Sequence, residues 1–286
     1  MTALRVAAVA APFGRDLGED FARIAELLTE ARERGVQLLV LPEAALGGYL
    51  AVLDGSHGDR LELPPALRLD GPEIRLLSAL AGEMVVCAGF AEDAGDGTRY
   101  NAAVCVNGDG VLGSYRKVHQ PLSEGLAYDS GQDFPVFDTP IGRMGMLICY
   151  DKAFPEAARA MAVEGAEIIA CLSAWPTSRT NAAAQLADDR WTRKYQLFDR
   201  ARALDNQVVW VASNQSGTFG SLRFVCNAEI VDPSGEVLAS TGSEAGMAVA
   251  DVDLRGALER ARGGMFHLRD RRPELYPSIT AVAHAV

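Results

Sequence analysis

The chain has 286 residues, of which 49% are hydrophobic and 23% charged. That apolar fraction is enough to pack one large core, which excludes disorder as the main state. No apolar run approaches the ~18 residues of a membrane-spanning helix. The net charge of −11, with no run of Lys and Arg, argues against a nucleic-acid partner.

Taken in chain order, strand-like and helix-like segments alternate. An apolar run over residues 6–11 predicts a buried strand, and Phe21, Ile24, Leu27, Leu28 and Ala31 then recur at helical spacing until Gly35. A second strand over 37–41 runs into Pro42-Glu43. The Gly- and Pro-bearing stretch 54–70, which contains His57, reads as a loop near an opening. A helix over 72–81 and a strand over 84–90 follow. Strands over 100–106 and 111–118 flank Asn107-Gly108-Asp109-Gly110, a turn signal because Asn and Gly accept positive φ. Further on come a strand over 144–149, a helix over 155–164, a strand over 167–172, a long helix over 184–204 and a strand over 207–212. Strands over 224–231 and 236–239, joined by Asp232-Pro233-Ser234-Gly235, and a last strand over 249–252 close the regular part. Interleaved helices and apolar strands predict an α/β protein, and the hairpins predict mixed sheets. No repeat and no interdomain linker is visible.

Five cysteines, Cys87, Cys105, Cys149, Cys171 and Cys226, are odd in number and form no CxxC pair. This pattern predicts free thiols in a reducing, cytoplasmic setting, with neither a disulfide frame nor a metal site. Four of them lie inside strand-like runs and read as small buried hydrophobes. Cys149 differs: it ends a buried strand, and Asp151, Pro155 and Glu156 announce a helix N-terminus immediately after it. A thiol lifted to a sheet edge beside helix-end N–H groups is placed for nucleophilic work. Such a thiol needs a base and a charge-stabilising partner. Among the histidines His57, His119, His267 and His284, only His119 follows a strand. Two other strand ends deliver charge, Glu43 and Lys117.

Together, Leu41-Pro42-Glu43, Tyr115-Arg116-Lys117-Val118-His119 and Cys149-Tyr150-Asp151 with Phe154-Pro155-Glu156 occur in the order and spacing of the nitrilase superfamily of carbon–nitrogen hydrolases. Arg202-Ala203-Leu204-Asp205-Asn206-Gln207, Asn214, Asp232-Pro233-Ser234-Gly235-Glu236 and the segment from Leu268 to Tyr276 extend the resemblance over nearly the whole chain.

This resemblance implies a four-layer αββα sandwich of two mixed sheets covered by helices. It implies a hydrolase domain over 1–262 and a C-terminal tail over 263–286 at a dimer interface. Glu43 matches the general base, Lys117 the catalytic lysine, Cys149 the nucleophile and the Tyr150 backbone N–H an oxyanion donor. Glu124 falls where many members carry a second active-site glutamate, although the Gly125-Leu126-Ala127-Tyr128 that follows departs from the usual aromatic-rich segment. No cofactor has a role in this chemistry. The Cys149-Tyr150-Asp151 sequence resembles the amidase and carbamoylase branches rather than true nitrilases, which carry Trp-Glu after the cysteine. The implied activity is hydrolysis of a small-molecule amide through a cysteine thioester. N-carbamoyl compounds, less so nitriles, are the alternative substrates, and a silent interaction protein of the same fold is the non-enzymatic alternative. Trp175 and Lys152 are candidate substrate-pocket residues, whereas Trp191 and Trp210 read as core. The apolar groups of the helix around Trp191, Tyr195, Leu197 and Phe198 predict a homodimer, or a higher assembly of dimers.

Overall fold

A computed structural model describes residues 3–54 and 62–276. His57 with the rest of residues 55–61 of the expected 54–70 loop, His284 and the end of the tail lie outside the described residues.

The elements in order are β1 (Leu4–Ala11), α1 (Leu17–Glu33), β2 (Leu38–Val40), β3 (Ala66–Leu67), α2 (Pro72–Ala81) and β4 (Val85–Asp93). The hairpin β5 (Arg99–Asn107) and β6 (Gly110–Arg116) follows, then β7 (Val136–Thr139), β8 (Gly142–Ile148), α3 (Pro155–Val163) and β9 (Ile168–Ser173). The rest are α4 (Arg190–Asn206), β10 (Val209–Gln215), β11 (Thr218–Phe219), β12 (Leu222–Arg223), β13 (Glu229–Val231), β14 (Val237–Ser240), β15 (Gly246–Val252) and α5 (Leu254–Gly264).

Two mixed sheets result. One runs β6-β5-β4-β2-β1 and ends on β15, which lies antiparallel to β1 from Leu4 to Ala10. The other runs β7-β8-β9-β10 and continues through β13 to β14. Their strands pair directly only where Ala10 and Ala11 of β1 meet Asn214 and Gln215 of β10, so elsewhere they are free to splay and stack face to face. Side chains alternate across a strand, and β1 shows the result. Val6, Ala8 and Ala10 join Met144, Met146, Ile168 and Val211 in the core between the sheets. Ala7 and Val9 pack outward against Ile24 and Leu28 of α1 and Ile74 and Leu77 of α2. On the far side, Ala157, Ala158 and Met161 of α3 cover the second sheet. The four layers are the expected αββα order.

Several boundaries differ from the sequence expectation. The long helix does not begin at 184: a 3-10 turn at Leu186–Asp188 precedes α4, whose start is fixed by Asp189 accepting from the Trp191 N–H at 2.8 Å. The strand expected over 224–231 shrinks to Glu229–Val231, because Cys226 adopts φ +58° and breaks the run before it. β7 and α5 were not anticipated, and α5 extends to Gly264. Among the described residues no helix is long and apolar enough to cross a membrane.

Candidate active site

Three strand ends converge between the sheets. Glu43 follows β2, and its backbone passes so close to Gly89 of β4 that a Cβ there would sit 2.4 Å from Ala44 N and 2.7 Å from Glu43 Cα. From the second sheet, Ser213 Oγ donates to Leu41 O at 2.8 Å and Gln215 Nε2 to Glu43 O at 2.9 Å. Lys117 follows β6, its backbone tied to Asn101 O and the Gly131 N–H, both at 2.8 Å. Cys149 follows β8 at φ +51°, an uncommon region for a non-glycine residue, and opens a 3-10 turn over Cys149–Ala153. Asp151 anchors that turn: its carboxylate accepts from Tyr115 OH at 2.7 Å, Ile148 N at 3.1 Å and His119 N at 3.0 Å.

The side chains of Glu43, Lys117 and Glu124 are fully buried. Lys117 Nζ donates to Glu43 Oε1 at 2.8 Å and Glu124 Oε2 at 2.7 Å. Asn101 Nδ2 reaches both acids, 2.7 Å from Glu43 Oε1 and 2.6 Å from Glu124 Oε1. The Tyr49 hydroxyl donates to Glu124 Oε1 at 3.2 Å. On the other oxygen of Glu43, the Ala174 N–H donates at 2.6 Å, and the same N–H faces the Cys149 sulfur.

Burial opposes charge on Lys117, but Glu124 and Glu43 outweigh it and hold the ammonium well above its ordinary pKa. Burial, offset by Lys117 and reinforced by the neighbouring Glu43, pushes Glu124 up to about 7. Burial and the Glu43 charge push the Cys149 thiol well up, against the opposing Lys117 charge and Ala174 N–H. The resting sulfur is therefore a thiol, and its proton has to leave during attack. A site of this make-up can hold a thiol, a proton acceptor and a fixed ammonium around one carbonyl group.

Above the thiol lies a cavity of about 420 Å³ bounded by Tyr49, Leu53, Leu122, Tyr150, Trp175, Trp191 and Phe198, with Cys149 in its wall. Trp175 is there as expected, edge-on to Trp191 and Phe198 with ring centroids 6.2 and 6.0 Å away. Trp191 is partly exposed in this wall rather than in the core, whereas Trp210 is fully buried. Lys152 corrects a second expectation. It does not line the cavity, and it is fully buried with Nζ 2.8 Å from Asp199 Oδ1. The cation at the cavity is instead Lys194, exposed and without an ion-pair partner among the described residues. His119 turns away from base chemistry: its Nδ1 lies 2.8 Å from Asp151 Oδ1 and its ring stacks on Phe154 at 3.7 Å.

Asn101 was missed, although an Asn inside the apolar run of β5 is a signal, since a buried amide must find partners. Lys194 left no signal, because on helix α4 it looks like any solvated lysine. Among the described residues no group of three or more His, Cys, Asp or Glu is placed to hold a metal ion.

A family model described as carbon-nitrogen hydrolase matches residues 5–261. The chain is 28% identical over 277 residues to a probable nitrilase of Schizosaccharomyces pombe, covering 94% of this chain and 95% of the relative. It is 31% identical over 278 residues to the N-carbamoylputrescine amidase of Solanum tuberosum, covering 91% and 89%. A crystal structure of a carbon-nitrogen hydrolase from Helicobacter pylori superposes with a TM-score of 0.82 at 25% identity, covering 97% of this chain and 98% of that one.

Proposed function

The chain belongs to the carbon–nitrogen hydrolase family, and from that premise we propose that it hydrolyses a small-molecule amide through a thioester on Cys149. The observation that carries this reading is the buried Glu43–Lys117–Glu124 cluster beside a thiol whose wall opens into a cavity.

An amide carbonyl is a poor electrophile, so the enzyme has to supply a strong nucleophile and neutralise the developing oxyanion. Glu43 takes the thiol proton as the sulfur attacks. Lys117 keeps its charge between two carboxyl groups and, with the Tyr150 backbone N–H, holds the oxyanion. Protonated Glu43 passes the proton to the leaving ammonia or amine. Water then attacks the thioester, activated by Glu43 and positioned by Glu124.

The cavity supports an apolar body on the substrate, since flat aromatic walls give contact area at low entropic cost. Lys194 at its wall favours a carboxylate at the far end and opposes a terminal ammonium. A primary amide with that anatomy is the leading reading, and an N-carbamoyl amino acid is the second. A homodimer is part of the proposal, resting on the tail and on exposed Leu197.

The test is ammonia release across aliphatic amides, ω-amides of dicarboxylates, N-carbamoyl amines and nitriles, with intact-mass detection of the acylated protein. Amides or N-carbamoyl compounds should exceed nitriles, and the adduct should map to Cys149. Cys149→Ala should abolish turnover and keep the fold, and Cys149→Ser should be almost as inactive. Turnover by the alanine variant within tenfold of wild type would overturn the assignment, and nitrile rates equal to the best amide would overturn the substrate class.

A further inference from the structure

Behind the nucleophile turn lies a second buried ionisable cluster that the mechanism does not use. Lys152, in the same 3-10 turn as Cys149, places Nζ 2.8 Å from Asp199 Oδ1 of α4 and 3.0 Å from the centroid of the Tyr195 ring. Trp210 Nε1 from β10 donates to the same Asp199 oxygen at 2.7 Å. The other oxygen, Oδ2, receives no N–H or hydroxyl donor among the described residues, and neither does Glu229 Oε1 of β13. The two carboxyl groups lie within hydrogen-bond reach of each other. Asp199 and Lys152 are fully buried, and Glu229 is 2% exposed.

The charges do not balance if every group ionises: one ammonium would face two carboxylates in a dry site. A proton shared between two acceptor-only oxygens side by side satisfies both. The structure assigns that proton to Glu229, so that Lys152, Asp199 and protonated Glu229 form one neutral unit that locks the Cys149 turn onto α4; we propose it as the positioning device of the nucleophile.

Its connections support this. The Lys152 carbonyl accepts from Arg202 Nε at 2.9 Å, so α4 grips Lys152 by both backbone and side chain. Lys152 Nζ also lies 5.5 Å from the ring of Trp175, which walls the cavity. Burial and the Asp199 charge raise Glu229 to about 8, against the smaller pull of Lys152 and Arg200. The groups facing Glu229 are Asp199, Arg200 and Tyr195 from α4 and Lys152 from the turn, while β10 and β14 set Ala212 and Ser240 opposite it. Cys171 of β9 stands near Lys152 and Asp199 and is pushed up to about 12, chiefly by burial, so it stays a neutral thiol.

The sign follows. Glu229 holds its proton more tightly in the native protein than in the unfolded chain, where its pKa is about 4.3. Its contribution to stability is full below that value and is lost as pH rises through about 8. Ionised Glu229 then repels Asp199, and the hold on Lys152 weakens.

The experiment compares wild type, Glu229→Gln and Lys152→Met by thermal melting and by kcat against pH on the best amide, with infrared difference spectra of the first two. The spectrum of wild type minus Glu229→Gln at neutral pH should contain a carboxylic-acid C=O band, since Glu124 is common to both and cancels. Wild-type melting temperature and kcat should both fall through about pH 8, and Glu229→Gln should remove that step while keeping the one from Glu124 near 7. Lys152→Met should lower kcat at least tenfold with little change in KM. If the glutamine variant does not fold, Glu229→Met provides the same comparison, because it too has no proton to lose. Absence of the acid band overturns the shared proton. Identical alkaline falls in wild type and variant, or kcat of Lys152→Met within threefold of wild type, overturn the positioning role. That role rests on Cys149 as nucleophile, but the spectra and melting curves do not, so failure of the two readings can be told apart.

Discussion

A lysine bridging two carboxyl groups without solvent has little geometric freedom, and this decides what substitution does at Lys117. Lys117→Ala should lower kcat by roughly two or more orders of magnitude, the scale of losing an oxyanion donor. Lys117→Arg should not restore it, because the planar guanidinium cannot place one point charge 2.8 and 2.7 Å from the two acids. Steady-state rates decide the matter, and a normal arginine variant would make Lys117 structural. At this scale the sequence was legible where residues form a motif: Glu43, Lys117, Cys149 and Glu124 could all be named, and the fold brings them together. It was not legible where function comes from the neighbourhood. Lys152 and Lys194 are both lysines near Cys149 in sequence or space, yet packing buries the first against Asp199 and leaves the second at the cavity. No residue type distinguishes them.

Between elements, the tightest approach near the site is that of β4 to the segment after β2. Gly89 is needed there for space, since any Cβ would meet the Glu43 and Ala44 backbone. Gly89→Ala should therefore push Glu43 from its place and reduce kcat about a hundredfold, the usual cost of misplacing a catalytic group by about 1 Å. Circular dichroism should show the fold retained. A kcat near that of wild type would mean that the acid tolerates the shift. The alternation of strands and helices was largely readable from the sequence, because β1, β2, β4, β5, β6, β8, β9 and β10 carry apolar runs of the right length. The segment 224–228 was not, because its apolar content mimics a strand and only the φ of Cys226 reveals that the chain turns there. The start of α4 was missed for the opposite reason: one capping aspartate, Asp189, outweighs the four apolar or neutral residues from Ala184 to Ala187.

For the whole molecule, the expected dimer has a narrower basis than the apolar content of α4 suggested. Tyr195 is buried, and Trp191 and Phe198 wall the cavity, so of that group only Leu197 remains strongly exposed. The tail contributes exposed Met265, Leu275 and Tyr276, and His267 Nδ1 lies 3.2 Å from Leu204 O at the end of α4. Light scattering at micromolar concentration should give about twice 30.5 kDa; a fully active particle of single mass would refute the dimer. The division of the site between two sheets has a temporal consequence. Glu43 and Lys117 extend from one layer and Cys149 from the other, and the strands of the two layers pair only at Ala10–Ala11 with Asn214–Gln215. During synthesis the acid and the ammonium leave the ribosome well before β10 exists to hold them. A half-made chain that already has Glu43, Lys117 and Cys149 thus lacks the Ser213 and Gln215 bonds that hold the Leu41–Glu43 segment, and the three groups take their places only when the second layer closes over the first.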